Sequence, residues 1–228
     1  MGMLEGVDRR VLRLGGLSGL LAGAIILVGL ALAFTLPAAV LSGPEGFFQS
    51  SPEAKGTFLA IGRLGYVAPF LYLPFVLALY NSLGKSRPTL TLLGSILGIT
   101  AAAAFEIFFL GVVSTSFSLA DYYAAAAPGD RDTVVIAAVA AISVLNGVQN
   151  AGFFFLGVSF ISLGVSALGN AAFHKGFGWL GVVLGILVIA LPFVGGPGLA
   201  RFTLWAVFTL VLGGKLYSLS QSSAVSAS

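Results

Sequence analysis

With 228 residues, 58% hydrophobic and 8% charged, and a mean hydropathy of +1.05, this chain carries more apolar surface than a water-soluble domain of its size can hide. Its solvent is therefore lipid, and the expected fold class is an all-α, polytopic membrane helix bundle. The absence of cysteine excludes disulfides, thiolate metal sites and a cysteine nucleophile; the lone His174 excludes a histidine cluster; a net charge of +3 makes no surface for nucleic acid.

A crossing of the hydrocarbon takes about 20 apolar residues, so six spans fit into one membrane domain over residues 1–220, followed by a serine-rich tail at 221–228. Arg9, Arg10 and Arg13 precede the first apolar run, 14–36. That run exceeds the roughly 7–15-residue core of a cleaved signal peptide, so it reads as an uncleaved first span, closed before Pro37. A short loop rich in Ser, Gly, Pro and Glu covers 42–53. The second span, 56–83, holds Pro69 and Pro74, which kink a helix but are tolerated where neighbours satisfy the freed carbonyls.

Lys85-Ser86-Arg87-Pro88 is a basic turn with proline at the first position of the third span, 89–120. A polar loop at 121–132 leads to an uncharged stretch at 133–168, read as one long fourth span. The fifth span, 177–193, ends at Gly195-Gly196-Pro197-Gly198, and the sixth covers 199–219. Counting basic residues by side sets Arg9, Arg10, Arg13, Lys85, Arg87, Lys175 and Lys215 against Lys55, Arg63, Arg131 and Arg201. The bias predicts both termini in the cytoplasm.

Spans one, three and five each open with glycines four apart: Gly15/Gly19/Gly23, Gly94/Gly98 and Gly181/Gly185. Such spacing lets membrane helices approach closely, and either an internal hairpin repeat or glycine-rich composition would produce it. Gly176-Phe177-Gly178-Trp179-Leu180-Gly181 matches a dinucleotide fingerprint by letter but lacks the strand and crossover unit that motif needs, so it reads as helix packing. His174-Lys175 reads as a solvated interfacial pair. Trp179, Trp205, Tyr80, Tyr122, Tyr123 and Tyr217 read mostly as an interfacial belt. The runs Phe105/Phe108/Phe109 and Phe153-Phe154-Phe155 read as lipid-facing or packing residues.

Glu106 is the one acid placed within hydrocarbon, and such a residue normally faces protein or water. At 1.5 Å per residue it lies roughly 24 Å across from the cytoplasmic edge, with Arg63 and Asn150 roughly 30 Å across. Asn146, Gln149 and Asn150 share one helical face, as do Arg63 and Tyr66. The expectation is a polar cluster of Arg63, Tyr66, Glu106, Asn146, Gln149 and Asn150 in the outer half. An Arg63–Glu106 ion pair at its centre would lower the burial cost of both groups.

The segment Arg13-Leu14-Gly15-Gly16-Leu17-Ser18-Gly19-Leu20-Leu21-Ala22-Gly23, the segment Phe173-His174-Lys175-Gly176-Phe177-Gly178-Trp179-Leu180-Gly181 and the six-span spacing resemble an uncharacterised bacterial family of integral membrane proteins. The resemblance implies six helices in a bacterial cytoplasmic (inner) membrane, and it brings no activity, cofactor or catalytic residue.

Three functions follow as expectations. An accessory or scaffold subunit of a larger membrane complex suits small size, few charges and glycine faces that favour other subunits or self-association. Binding or transport of a small polar or amphipathic solute would use the outer cluster. An intramembrane enzyme is disfavoured, because hydrolytic metal chemistry wants several His, Cys or acidic ligands and His174 lies far from Glu106. No catalytic residue, metal or cofactor is expected, and the partner in every case is the lipid bilayer.

Overall fold

The structure is a computed structural model that describes residues 8–195 and 198–225. Among these residues there is no strand, and six helices are long and apolar enough to cross a membrane. They are α1 (Arg9–Ala33), α4 (Pro52–Leu83), α5 (Pro88–Ala125), α6 (Arg131–Leu168), α7 (Lys175–Ala190) and α8 (Gly198–Val225). The fold class is thus the expected polytopic bundle, while sidedness remains an expectation from charge.

Local chemistry sets the helix starts. Asp8 Oδ1 accepts from Arg10 N at 2.8 Å before α1, and Ser51 Oγ accepts from Ala54 N at 3.3 Å before α4 with Pro52 next. His174, exposed together with Lys175 as expected, is also the N-cap of α7, its Nδ1 accepting from Gly176 N at 3.1 Å. These caps explain why α1, α4 and α7 begin before the apolar runs do: backbone bonds propagate past the hydrocarbon boundary that hydropathy detects. α1 also stops at Ala33, four residues ahead of Pro37. α7 is extended by a 3-10 turn over Leu191–Val194 that closes with Gly195 at φ 68°, a left-handed conformation glycine adopts without strain. The tail expected at 221–228 begins inside α8, and 226–228 lie outside the described residues.

The six long helices stand in chain order around a ring, each packed on the next, with α8 closing against α1. Both α1's first turn and α8's last lie at one end, called here the near end, because Gly16 meets Tyr217 while Gly23 meets Leu210. Glycines make the tightest seams. A Cβ on Gly164 would lie 2.6 Å from the Gly178 carbonyl oxygen, and one on Gly213 would lie 3.0 Å from the Gly16 carbonyl oxygen. All three glycine series read from the sequence lie on helix–helix seams, and Gly178 and Gly181 of the fingerprint-like segment pack on Gly164.

Large aromatics fill the centre. Phe160 stacks on Phe208 at 3.7 Å, Phe105 on Trp205 at 4.7 Å, and Tyr72 meets Trp205 edge-on at 5.6 Å. Phe105 and Phe153 are therefore core residues. Trp205, expected in the interfacial belt, is 1% exposed at the centre, while Trp179 is 59% exposed on the surface.

Two short helices connect the first two spans: α2 (Ala38–Ser42), which precedes the segment expected as a loop at 42–53, and α3 (Pro44–Phe48), which lies inside it. Val40, Phe47 and Phe48 pack with Leu36, Ala54 and Ala138 into a second apolar cluster at the far end. That cluster forms because α5 and α6, at 38 residues each, are about 57 Å long against roughly 30 Å of hydrocarbon. Their far ends project and offer a platform.

Candidate functional site

The predicted polar cluster does not assemble. Gly62 packs on Val113 and Gly65 on Phe109, a register that places Arg63 six residues, roughly 9 Å, beyond Glu106. Arg63 is exposed, and Tyr66 is exposed with its ring edge-on to Phe70 at 5.1 Å. On α6, Asn146 is exposed and Gln149 half-buried. The expected Arg63–Glu106 ion pair is absent: both Glu106 carboxylate oxygens are enclosed and have no hydrogen-bond partner among the described residues. The reason is geometric. A level counted from membrane edges is correct only to a turn or so, and the α4–α5 seam sets Glu106 about a turn and a half nearer the near end than Arg63.

Asn150 does have a partner, and it is Arg201, counted in the sequence only as an orientation charge. Arg201 is 8% exposed, and its Nη1 donates to Asn150 Oδ1 at 2.9 Å. Its guanidinium lies over the Phe153 ring, 4.3 Å from the centroid. The signal that would have found it is helical spacing. Arg201, Trp205, Phe208 and Leu212 recur at i, i+4, i+7 and i+11, all buried, so Arg201 continues the core stripe of α8.

Beside this stripe lies an apolar cavity of about 70 Å³ between α1, α4 and α8, with Phe109 of α5 behind it. Ile25 and Gly29 of α1, Gly65 of α4, and Phe202 and Trp205 of α8 form its walls. Its cause is readable in α1. Gly15, Gly16, Gly19 and Gly23 bring that helix against α4 and α8, and beyond Gly23 larger side chains hold it off. A Cβ on Gly29 would meet nothing within 4 Å.

Among the described residues, four enclosed side-chain polar atoms lack a hydrogen bond: Tyr72 Oη, both Glu106 oxygens and Trp205 Nε1. Trp205 is itself a cavity wall. Among the same residues, no three His, Cys, Asp or Glu side chains gather into a group that could hold a metal ion.

No protein-family model matches the chain, no curated protein matches it, and no solved structure matches it.

Proposed function

We propose that this chain is a non-enzymatic integral membrane protein that binds a small apolar or amphipathic molecule, entering from the lipid between α1, α4 and α8. The cavity supports this reading. Its volume is several times the roughly 10–15 Å³ that one water requires, yet apolar walls hold water poorly, so hydrocarbon is the occupant that gains most. A photoactivatable alkyl diazirine, with labelled positions mapped by mass spectrometry, tests it. Labelling is expected at Ile25 and Phe202 and lost on Gly29→Leu, which fills the space without a clash. Labelling spread evenly over lipid-facing positions such as Leu92 and Ile96 would overturn it.

A second reading, an accessory or scaffold subunit, is supported by the projecting hairpin. Ile136 and Val144 on α6 are 69% and 70% exposed in the region beyond the ends of α7 and α8. A partner that copurifies in mild detergent and is released by Val144→Asp supports this reading, and purification of the chain alone counts against it. A bacterial inner-membrane location and cytoplasmic termini belong to the same proposal.

A further inference from the structure

We propose that Arg201 and Asn150 form an oxyanion site at the far mouth of the bundle, which takes a phosphate group. The inference is independent of the apolar cavity. Arg201 stands at the end of the buried stripe that runs through Leu212, Phe208 and Trp205, so its side chain leaves α8 towards the bundle and not towards lipid. An arginine with 8% exposure held there for structure alone would spend its donors on carboxylates or carbonyls. This one donates a single hydrogen bond among the described residues, from Nη1 to Asn150. Its Nε and Nη2 have no hydrogen-bond partner among those residues and are not enclosed.

The acid at the same level does not serve it. The Glu106 oxygens make no hydrogen bond among the described residues, and the neighbouring Phe105 packs on Phe153 at 4.8 Å and on Phe202 at 6.1 Å. The guanidinium is thus a preformed cation with free donors in a planar fork, seated on the Phe153 face and oriented by Asn150. A phosphate oxyanion matches that fork with paired, charge-assisted hydrogen bonds and supplies the missing negative charge. A lipid headgroup and a soluble phosphate compound both carry this chemistry.

The test measures thermal stabilisation and native mass spectrometry of the full chain in a neutral maltoside detergent. Phosphatidylglycerol, a diacylglycerol and inorganic phosphate are titrated separately. Phosphatidylglycerol is expected to bind about 10- to 100-fold more weakly to Arg201→Gln than to the natural chain, with diacylglycerol unaffected. Stabilisation by inorganic phosphate as well identifies a soluble anion site, and response to phosphatidylglycerol alone identifies a headgroup site. Arg63→Gln, which removes an exposed arginine elsewhere, is expected to leave binding unchanged. If Arg63→Gln weakens binding as much as Arg201→Gln, the attraction is general surface electrostatics and the proposal fails. Asn150→Ala keeps the charge but loses its positioning and is expected to weaken binding less than Arg201→Gln; unchanged binding in both Asn150→Ala and Arg201→Lys would also overturn it.

Discussion

Buried polar groups are treated differently at the near end of the bundle and at the level of Glu106 and Trp205. At the near end Asn170, 3% exposed, donates from Nδ2 to the Ser82 carbonyl at 2.9 Å and accepts from Ala172 N at 2.9 Å. Ser86 Oγ reaches the Ser166 carbonyl at 3.2 Å, and further in Ser159 Oγ donates to the Gly94 carbonyl at 2.7 Å. These bonds tie α4, α5 and α6 together. Farther along, Trp205 Nε1 and both Glu106 oxygens are enclosed without hydrogen-bond partners among the described residues, and Arg201 makes one hydrogen bond with those residues. Unmade hydrogen bonds in an apolar interior cost about 1–3 kcal/mol each, more where charge is involved. The near end is cross-linked by these hydrogen bonds, whereas at the level of Glu106 and Trp205 enclosed polar groups go unbonded among the described residues.

The contrast can be broken experimentally. The largest effect is expected where backbones touch at the glycine seams. Gly185→Leu would put a Cβ 2.5 Å from the Gly157 carbonyl oxygen, and a loss of about 3 kcal/mol or more should appear as failure to purify in folded form. Asn170→Ala at the near end should cost about 1–3 kcal/mol in reversible denaturation, since it removes both bonds from a buried amide.

Glu106→Leu should have the opposite sign. It removes an enclosed acid that makes no hydrogen bond among the described residues, so detergent stability is expected to rise by about 1–3 kcal/mol. A fall instead would show that the carboxyl has a partner in the membrane. Gly29→Leu should raise the melting temperature slightly by filling the cavity, at about 24 cal/mol per Å³ filled, while abolishing alkyl labelling. Sidedness is separable from stability. In a chain without cysteine, Gly129→Cys is expected to react with an impermeant maleimide from outside intact cells, and Lys175→Cys only after permeabilisation.

Much of the architecture was legible because it depends on quantities local in the chain. Apolar runs of sufficient length name the spans, and glycines four apart name the seams, whatever their partners. Helix ends were less legible: α5 runs to Ala125 and α8 to Val225, because a helix continues beyond the hydrocarbon that hydropathy measures. The short helices α2 and α3, five residues each, were too short for hydropathy to mark as elements. They exist because the projecting ends of α5 and α6 give Phe47 and Phe48 something to cover.

The candidate site was legible only in part. Asn150 was named with the wrong arginine, since Arg63 and Arg201 both lay on the far side by charge counting. Two things distinguish them: the inter-helix register carries Arg63 six residues past Glu106, and the i, i+4, i+7, i+11 stripe of α8, readable in the sequence, carries Arg201 into the core.

Composition alone determined that this chain lives in lipid as six helices, because transfer free energies add along a run of residues irrespective of what surrounds it. Which charged groups meet, which stay unpaired and where a void remains were settled by packing. A glycine seam fixes helix register to within a residue, and one residue of register turns a side chain by about 100°.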